Sequence, residues 1–194
     1  MIFIEPSNIY EHVECMRPRL GMFIGANSIK QLEAYLDGYC SALFVHRIEE
    51  QDRPSFNYFL DWLMLTRKGD WTRGWATALL DEANDDNDAA LEKFFQLAGE
   101  FGELRSAAGE SIDLPVGHQR SLDSIQFYRD NFPVPTRLQL VHLRPGDWCY
   151  LRYWYADKAV NQPSLYRDVS SALRVVESEF AITPNEWELG LSGR

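Results

Sequence analysis

The chain has 194 residues, of which 45% are hydrophobic and 13% aromatic, enough for the core of one domain or of two small packed halves. Its formal net charge is −10, and residues 1–110 hold 19 acidic against 10 basic side chains. Such a chain is expected to bind neither free nucleic acid nor an anionic membrane, whereas a basic protein or a phosphate-binding active site would attract it. Solubility alone is the other explanation of the charge.

The cysteines and the N-terminus predict a cytoplasmic protein. Cys15, Cys40 and Cys149 are far apart and form no Cys-x-x-Cys pair, which favours buried free thiols in a reducing compartment. The first residues are acidic and their apolar run is too short for a signal peptide. No stretch approaches the ~18 apolar residues of a membrane span.

Apolar residues at three- and four-residue spacing predict a series of helices in the first half. Their predicted bounds are about 8–15, 28–48, 55 to a turn at 68–70, 71–80, and a last helix after residue 88. Residues 81–88 are predicted to form an acidic loop before the last helix. Prolines and glycines predict a structured loop after the first helix. These residues are Pro18, Gly21 and Gly25.

The second half changes character. Residues 106–111 are small and polar, which is typical of a linker, and residues 122–132 are consistent with a helix. Segments 137–143 and 148–155 are predicted strands joined by Arg-Pro-Gly-Asp, a hairpin signature. The second strand is apolar or aromatic on both faces and should be covered on both sides. A helix is predicted from Pro163 to about residue 180.

These elements predict an α+β fold. Residues 1–105 are expected to form a helical layer, and residues 112–194 a small antiparallel sheet with a long C-terminal helix. The helical layer should pack on the sheet, so that the two regions make one compact unit.

One motif stands out: Arg17-Pro18, followed by Gly-Met-Phe-Ile-Gly at residues 21–25. It resembles the Arg-Pro-Gly-Met-Tyr-Ile-Gly loop in the ATPase domain of type II topoisomerases. That resemblance would require a glutamate base and a magnesium-binding asparagine on the next helix, and then Asp-x-Gly-x-Gly. The chain offers Glu33 and Asp37 there, but it has neither the asparagine nor the later motif. ATP hydrolysis is therefore not expected.

A second resemblance covers about residues 10–102. The motif, the helices after it and their aromatic positions are similar to a group of small bacterial proteins found beside polymorphic toxins. The insertion of Arg19-Leu20 departs from the tighter loop of that group. The matching residues are Arg17, Pro18, Met22, Phe23, Ile24, Gly25, Leu36, Asp37, Gly38, Tyr39, Phe59, Trp62, Leu63, Trp71, Trp75, Phe94, Phe95 and Leu97.

This resemblance implies an immunity protein that binds and occludes the catalytic domain of a cognate toxin in the cytoplasm. A cytoplasmic protector implies a toxin that is a nuclease, an NAD-consuming enzyme, an ADP-ribosyltransferase or a nucleotide-modifying enzyme. No catalytic residue, cofactor or metal is expected. The motif is predicted to serve the fold rather than the toxin contact. Its residues are Arg17, Pro18, Gly21, Met22, Phe23 and Gly25.

Two runs of carboxylates are the candidate partner-binding residues, because clustered negative charge steers a cationic partner. They are Glu49, Glu50 and Asp52, and Asp81, Glu82, Asp85, Asp86 and Asp88. A solvated helix-capping loop is the alternative for the second run, which lacks the glycine and terminal glutamate of a calcium-binding EF-hand loop.

The histidines carry no metal signature. None of the four lies at metal-ligand spacing from another histidine or a cysteine. An alternative function remains open, namely a small enzyme or ligand-binding domain with a pocket between the helical layer and the sheet, using Arg17, His46 or His142. An adaptor with a broad apolar patch is a third possibility.

Overall fold

The computed structural model describes residues 6–46, 48, 53–113, 135–155, 158–180 and 182. Contacts between Cα atoms divide the chain into two compact units, Met1–Leu104 and Arg105–Arg194. The first unit is helical, and the second contains an antiparallel sheet and a C-terminal helix, which confirms the predicted α+β class.

The helical unit consists of short helices joined by tight turns. Asn8 caps the first helix, because its side chain accepts a hydrogen bond from the N–H of Glu11 at 3.0 Å. Two 3₁₀ turns, at Arg17–Arg19 and Phe56–Tyr58, lead into helices. The α-helices are α1 (Ile9–Met16), α2 (Leu20–Ile24), α3 (Ile29–His46), α4 (Phe59–Thr66), α5 (Trp75–Glu82) and α6 (Asn87–Gly102).

The core of this unit is aromatic. The Trp75 ring stacks on Phe94 with centroids 4.5 Å apart, and Phe59 meets Phe94 edge-on at 5.9 Å. The Phe101 ring lies 5.7 Å from Phe59. Each of these side chains is at most 5% exposed. Burying a side chain of this size contributes about 1.5–3 kcal/mol, so this cluster holds α4, α5 and α6 together.

Three local predictions for this unit are wrong. The loop predicted at Pro18, Gly21 and Gly25 is largely helical, as the 3₁₀ turn at Arg17–Arg19 and α2. The helix predicted from residue 71 begins only at residue 75, because Gly74 has φ +90°, a left-handed conformation outside the helical region.

The acidic stretch 81–88 is not a continuous loop. Asp81 and Glu82 belong to the last turn of α5, and Asp88 to the first turn of α6. Only residues 83–86 form the connection, and its last residue is the N-cap of α6.

The second unit contains a four-stranded antiparallel sheet in the order β1-β2-β3-β4. The predicted hairpin is confirmed as β2 and β3, with Leu140 opposite Leu151 and Val141 opposite Tyr150. Four of the first five residues of β3 are buried, including the neighbours Tyr150 and Leu151, so both faces of this inner strand are covered as expected. The elements are β1 (Arg105–Asp113), β2 (Arg137–Arg144), β3 (Cys149–Tyr155), β4 (Lys158–Tyr166) and α7 (Val169–Phe180).

Two predictions for the second unit are wrong, and one lies outside the described residues. The segment expected to be a linker, 106–111, belongs to β1, which pairs with β2. The C-terminal helix begins at Val169 and not at Pro163, because residues 158–166 form β4. Asp168 precedes that helix, and its Oδ1 accepts a hydrogen bond of 2.7 Å from the N–H of Ser171. The helix predicted at 122–132 is not among the described residues.

One face of the sheet packs against α7. Leu140, Leu151 and Tyr153 form a buried cluster with Val176 and Phe180. The Tyr153 ring lies edge-on to Phe180 with centroids 5.7 Å apart. This cluster gives the second unit a hydrophobic core of its own.

The cysteine prediction is correct for two of the three thiols. Cys40 and Cys149 are buried, and burial raises the pKa of the Cys149 thiol to about 12. Cys15 is exposed, so the prediction that all three are buried is wrong. The reason is its place on α1: Val13 and Met16 occupy the inner face of this helix, and residue 15 falls on the outer one.

Candidate partner-binding site

The motif segment, residues 17–25, folds as two short helical turns. Gly25 ends α2 with φ +86°, and its N–H donates to the Gly21 carbonyl oxygen at 3.0 Å. The N–H of Gly21 donates to Asn27 Oδ1 at 2.9 Å. Glycine at position 25 supplies the left-handed backbone that reverses the chain toward α3.

Arg17 connects the motif segment to α6. Its Nη2 donates to Glu92 Oε1 at 2.6 Å, and its Nη1 lies 3.8 Å from Glu14 Oε2. Its Cζ lies over the Phe95 ring, 5.3 Å from the centroid. The guanidinium is therefore held by carboxylates and by an aromatic face at once, which the fixed geometry of arginine favours.

An open cleft of about 500 Å³ separates the motif segment from α6, and we call it the motif cleft. Its lining includes the buried side chains of Leu20, Leu91 and Phe95. Two charged lining residues, Arg19 and Asp88, are exposed and have no side-chain partner among the described residues. The cleft thus joins an apolar interior to uncompensated charges of both signs.

The structure brings four motif residues and one predicted partner-binding carboxylate into this cleft. The cleft is lined by Arg17, Pro18, Gly21, Met22 and Asp88. The motif therefore shapes the fold locally and also forms one wall of a concave surface.

Two of the predicted carboxylates have structural partners. Asp81 forms an ion pair with Arg73 at the end of α5. Asp86 is the N-cap of α6, and its Oδ1 accepts from the N–H groups of Asp88 and Ala89, each at 3.0 Å. The Asp86 carboxylate stabilises the N-terminus of α6 as its cap, whereas the charge of Asp81, in the last turn of α5, is balanced by Arg73.

The other three carboxylates form a free acidic corner. Glu82, Asp85 and Asp88 are exposed, and their side chains make no hydrogen bond or ion pair with any described residue. Glu82 ends α5, Asp88 lies in the first turn of α6, and Asp85 lies in the connection between them, where its N–H donates to the Leu80 carbonyl oxygen at 2.9 Å. We call these three residues the acidic corner. Its carboxylates are available to an external cation.

The first predicted carboxylate run, Glu49, Glu50 and Asp52, lies outside the described residues. Its place relative to the acidic corner stays a prediction.

Phe23 takes part in an aromatic cluster that the sequence did not reveal. The His12 ring stacks on Tyr35 and Tyr39 at centroid distances of 5.9 and 5.7 Å, and Phe23 meets it edge-on at 6.0 Å. His12 Nε2 lies 2.8 Å from the Tyr35 hydroxyl oxygen, and burial lowers the pKa of the imidazole. Phe23 remains 47% exposed and the adjacent Met22 78%.

Helical spacing alone could not find this cluster. Periodicity assigns His12 to one helix and the tyrosines to another, but it does not say which helices are neighbours.

Asn87 is a second residue that the sequence analysis missed. Its Oδ1 accepts from the N–H of Ile29 at 3.0 Å, and its Nδ2 donates to the Asn27 carbonyl oxygen at 2.8 Å. It thereby ties the start of α6 to the start of α3, beside the motif cleft. The only sequence signal was an amide side chain within an otherwise acidic run.

Glu33, one of the two carboxylates weighed as ATPase residues, caps a helix. Its Oε1 accepts from the N–H of Ala76 at 3.0 Å, at the start of α5. A Cβ atom on Gly74 would lie 2.7 Å from the same oxygen. Burial raises the pKa of Glu33, although hydrogen bonds from the Ala76 and Trp75 N–H groups oppose the shift, and burial also raises the pKa of Asp37.

The histidines of the alternative function lie in different units. His46 is the exposed last residue of α3, and His142 lies in β2 opposite Cys149. In the described parts of the chain, no three His, Cys, Asp or Glu side chains are grouped so that they could hold a metal ion. None of the helices described is long and apolar enough to span a bilayer.

Comparison of the chain with protein-family models, curated proteins and solved structures gave no match. Function is therefore argued from the geometry of the helical unit and from the resemblance of its motifs.

Proposed function

We propose that this protein is an immunity protein that binds the catalytic domain of a cognate bacterial toxin in the cytoplasm and occludes its active site. The observation that carries the proposal is the acidic corner beside the motif cleft. Glu82, Asp85 and Asp88 are exposed, have no side-chain partner among the described residues and lie where α5 ends and α6 begins. Such an arrangement costs little reorganisation when a cationic surface arrives.

Electrostatics would act first, at long range. The excess of acidic side chains in residues 1–110 makes the field of the helical unit negative. A toxin that acts on nucleic acids or nucleotides has a positive active site, because it must bind phosphates. Complementary fields raise the association rate and orient the encounter.

Apolar contacts would then hold the complex. Met22 is an exposed apolar residue that lines the cleft, and the adjacent Phe23 is exposed too and meets the His12 ring edge-on. Large anchors of this kind supply most of the binding energy in protein interfaces, while charges at the rim set the association rate.

The partner is proposed to be a toxin that is a nuclease, an NAD-consuming enzyme, an ADP-ribosyltransferase or a nucleotide-modifying enzyme. The reason is that an immunity protein must meet its toxin where the toxin acts. No cofactor or metal is proposed for the immunity protein.

The proposal can be tested with the catalytic domain encoded by the neighbouring open reading frame. Its activity should be inhibited stoichiometrically by the purified protein. The triple variant Glu82→Lys, Asp85→Lys, Asp88→Lys should need a much higher concentration for the same inhibition. Full toxin activity in the presence of excess wild-type protein would reject the proposal.

The motif cleft favours a second candidate, a ligand-binding or enzymatic role. It is large enough for a small molecule, and it has Arg17 in its wall. Detection of metabolite turnover by the isolated protein, abolished by a substitution in the cleft, would support this candidate over the first.

A further inference from the structure

A second, smaller groove lies between α1 and α6, at the C-terminal end of α6. Its volume is about 180 Å³. The buried side chains of Tyr10, Val13 and Ala98 make it apolar at the bottom. Gly99 and Gly102 contribute no side chain, and a Cβ atom on Gly99 would meet nothing within 4 Å. We call this the α1–α6 groove.

The charges around this groove favour a cation. Its lining includes the carboxylates of Glu11, Glu14 and Glu103 against the single guanidinium of Arg53. Glu11 Oε2 accepts from Ser7 and Glu14 Oε2 lies 3.8 Å from Arg17 Nη1, but a carboxylate has lone pairs for further donors. The last turn of α6 adds the negative end of a helix dipole. The carboxylates and the helix dipole both favour a positively charged ligand, and they arise from different parts of the chain.

Arg53 shows how a guanidinium group binds beside this helix end. Its Nη1 donates to the carbonyl oxygen of Gly102, and its Cζ lies 6.0 Å from the centroid of the Tyr10 ring. A guanidinium is thus already bound at one end of the groove, by a helix-terminal carbonyl and an aromatic face. The same groove is lined by Glu11 and Glu14.

We propose that the α1–α6 groove receives an arginine side chain of the bound protein partner. The aliphatic stem would lie on Val13 and Ala98, while the guanidinium would meet the carboxylates of Glu11 and Glu14. The inference rests on the proposed function for the identity of that partner. It assigns a contact distinct from the acidic corner, since none of the acidic-corner residues lines this groove.

The first test needs no partner. The ¹⁵N-labelled protein is titrated with N-acetyl-arginine amide and, as a neutral control of the same shape, with the citrulline compound. Saturable shifts of the Gly99 and Gly102 amide signals in the millimolar range are expected for the arginine compound alone. No shift at these glycines, or equal shifts with citrulline, would overturn the proposal.

The second test uses a matched pair of glycine substitutions. Gly99→Leu fills the groove from a helical position with open space around it. Gly38→Leu makes the same change on α3, where a Cβ atom also meets nothing within 4 Å. Both variants replace an exposed helical glycine, so both should melt at a higher temperature than the wild type.

Only Gly99→Leu is expected to weaken binding of the neighbouring toxin domain, by about tenfold or more. It should also abolish the response to N-acetyl-arginine amide. Equal affinities of the two variants would overturn the groove proposal while leaving the proposed function intact. If the wild type binds no toxin domain, the proposed function fails. The titration with N-acetyl-arginine amide then tests by itself whether the α1–α6 groove binds an arginine side chain.

Discussion

Arg17 donates a hydrogen bond of 2.6 Å to Glu92, a residue 75 positions further along the chain. The same guanidinium lies over Phe95, one turn further along α6. All three side chains line the motif cleft, and this contact joins the most conspicuous motif of the chain to α6. Asp88 of the acidic corner lines the same cleft, so the motif and that carboxylate share one concave surface.

Arg17→Ala should lower the free energy of unfolding by about 1 kcal/mol. The ion pair is solvent-exposed, and exposed pairs contribute about 0–1 kcal/mol, while an exposed cation–π contact contributes about 0.5–1 kcal/mol. Glu92→Gln should cost less, because the arginine would keep its contact with Phe95. Urea denaturation of both variants checks the ranking. A larger loss for Glu92→Gln than for Arg17→Ala would contradict this assignment.

Gly25→Ala should destabilise the helical unit by about 1–2 kcal/mol, since φ is +86° there and an L-residue with a Cβ is strained in this region. The effect should be purely conformational, because nothing lies within 4 Å of the added Cβ. Gly38→Ala, in the interior of α3, is the control and should stabilise by about 0.5–1 kcal/mol. Thermal melting distinguishes the two. Equal signs for both substitutions would argue against the left-handed turn.

The sequence predicted those elements whose signals are local. The β2–β3 hairpin depends on neighbouring residues, and it was predicted. Strand β1 was missed because its partner, β2, is distant in sequence, so nothing within 106–111 reveals the pairing. Pro163 suggested a helix start, but it lies in β4, an edge strand, where a missing N–H is tolerated.

The candidate site also has a local part that the sequence predicts and a non-local part that it does not. The clustering of acidic residues was visible in the sequence, but the sequence could not tell which carboxylates already have a partner within the protein. Asp81 is neutralised by Arg73 and Asp86 caps a helix, whereas Glu82 and Asp85 are free among the described residues. The motif cleft itself depends on the packing of α6 against the motif segment, which no local pattern encodes.

Glu33 should make stability fall as the pH rises. Burial raises its pKa above the ordinary value of 4.5, so between that value and its higher folded-state pKa the folded state binds more protons than the unfolded state. The stability contribution is complete below about pH 4.5 and is lost as the pH rises through the folded pKa. Asp37, whose pKa is raised by burial too, acts in the same direction.

Glu33→Gln should reduce this fall, because the amide oxygen can still accept the hydrogen bond from Ala76 while carrying no charge. Glu33→Ala should lose the cap, worth about 1 kcal/mol, and should also lose the part of the pH dependence that Glu33 causes. Urea denaturation between pH 4 and pH 8 measures both effects. A constant difference between the wild type and Glu33→Gln across that range would show that ionisation of Glu33 does not affect stability.

The carboxylates of the acidic corner should mainly raise the rate at which the protein associates with the toxin domain. The double variant Glu82→Lys, Asp85→Lys should bind the toxin domain more slowly at low salt, and the difference should shrink as salt screens the charges. Asp147→Lys, Glu177→Lys changes the net charge equally at exposed positions of the sheet unit and is the matched control. Stopped-flow association kinetics compare the two. Equal slowing by both would indicate a net-charge effect without a local site.

The most direct test of the account is calorimetric titration of the purified protein with the toxin catalytic domain that the proposed function expects the neighbouring open reading frame to encode. We expect a one-to-one complex with a dissociation constant well below micromolar, weakened by added salt. We also expect weaker binding for the acidic-corner variant. Absence of any complex at micromolar concentrations, together with unimpaired toxin activity, would contradict the account.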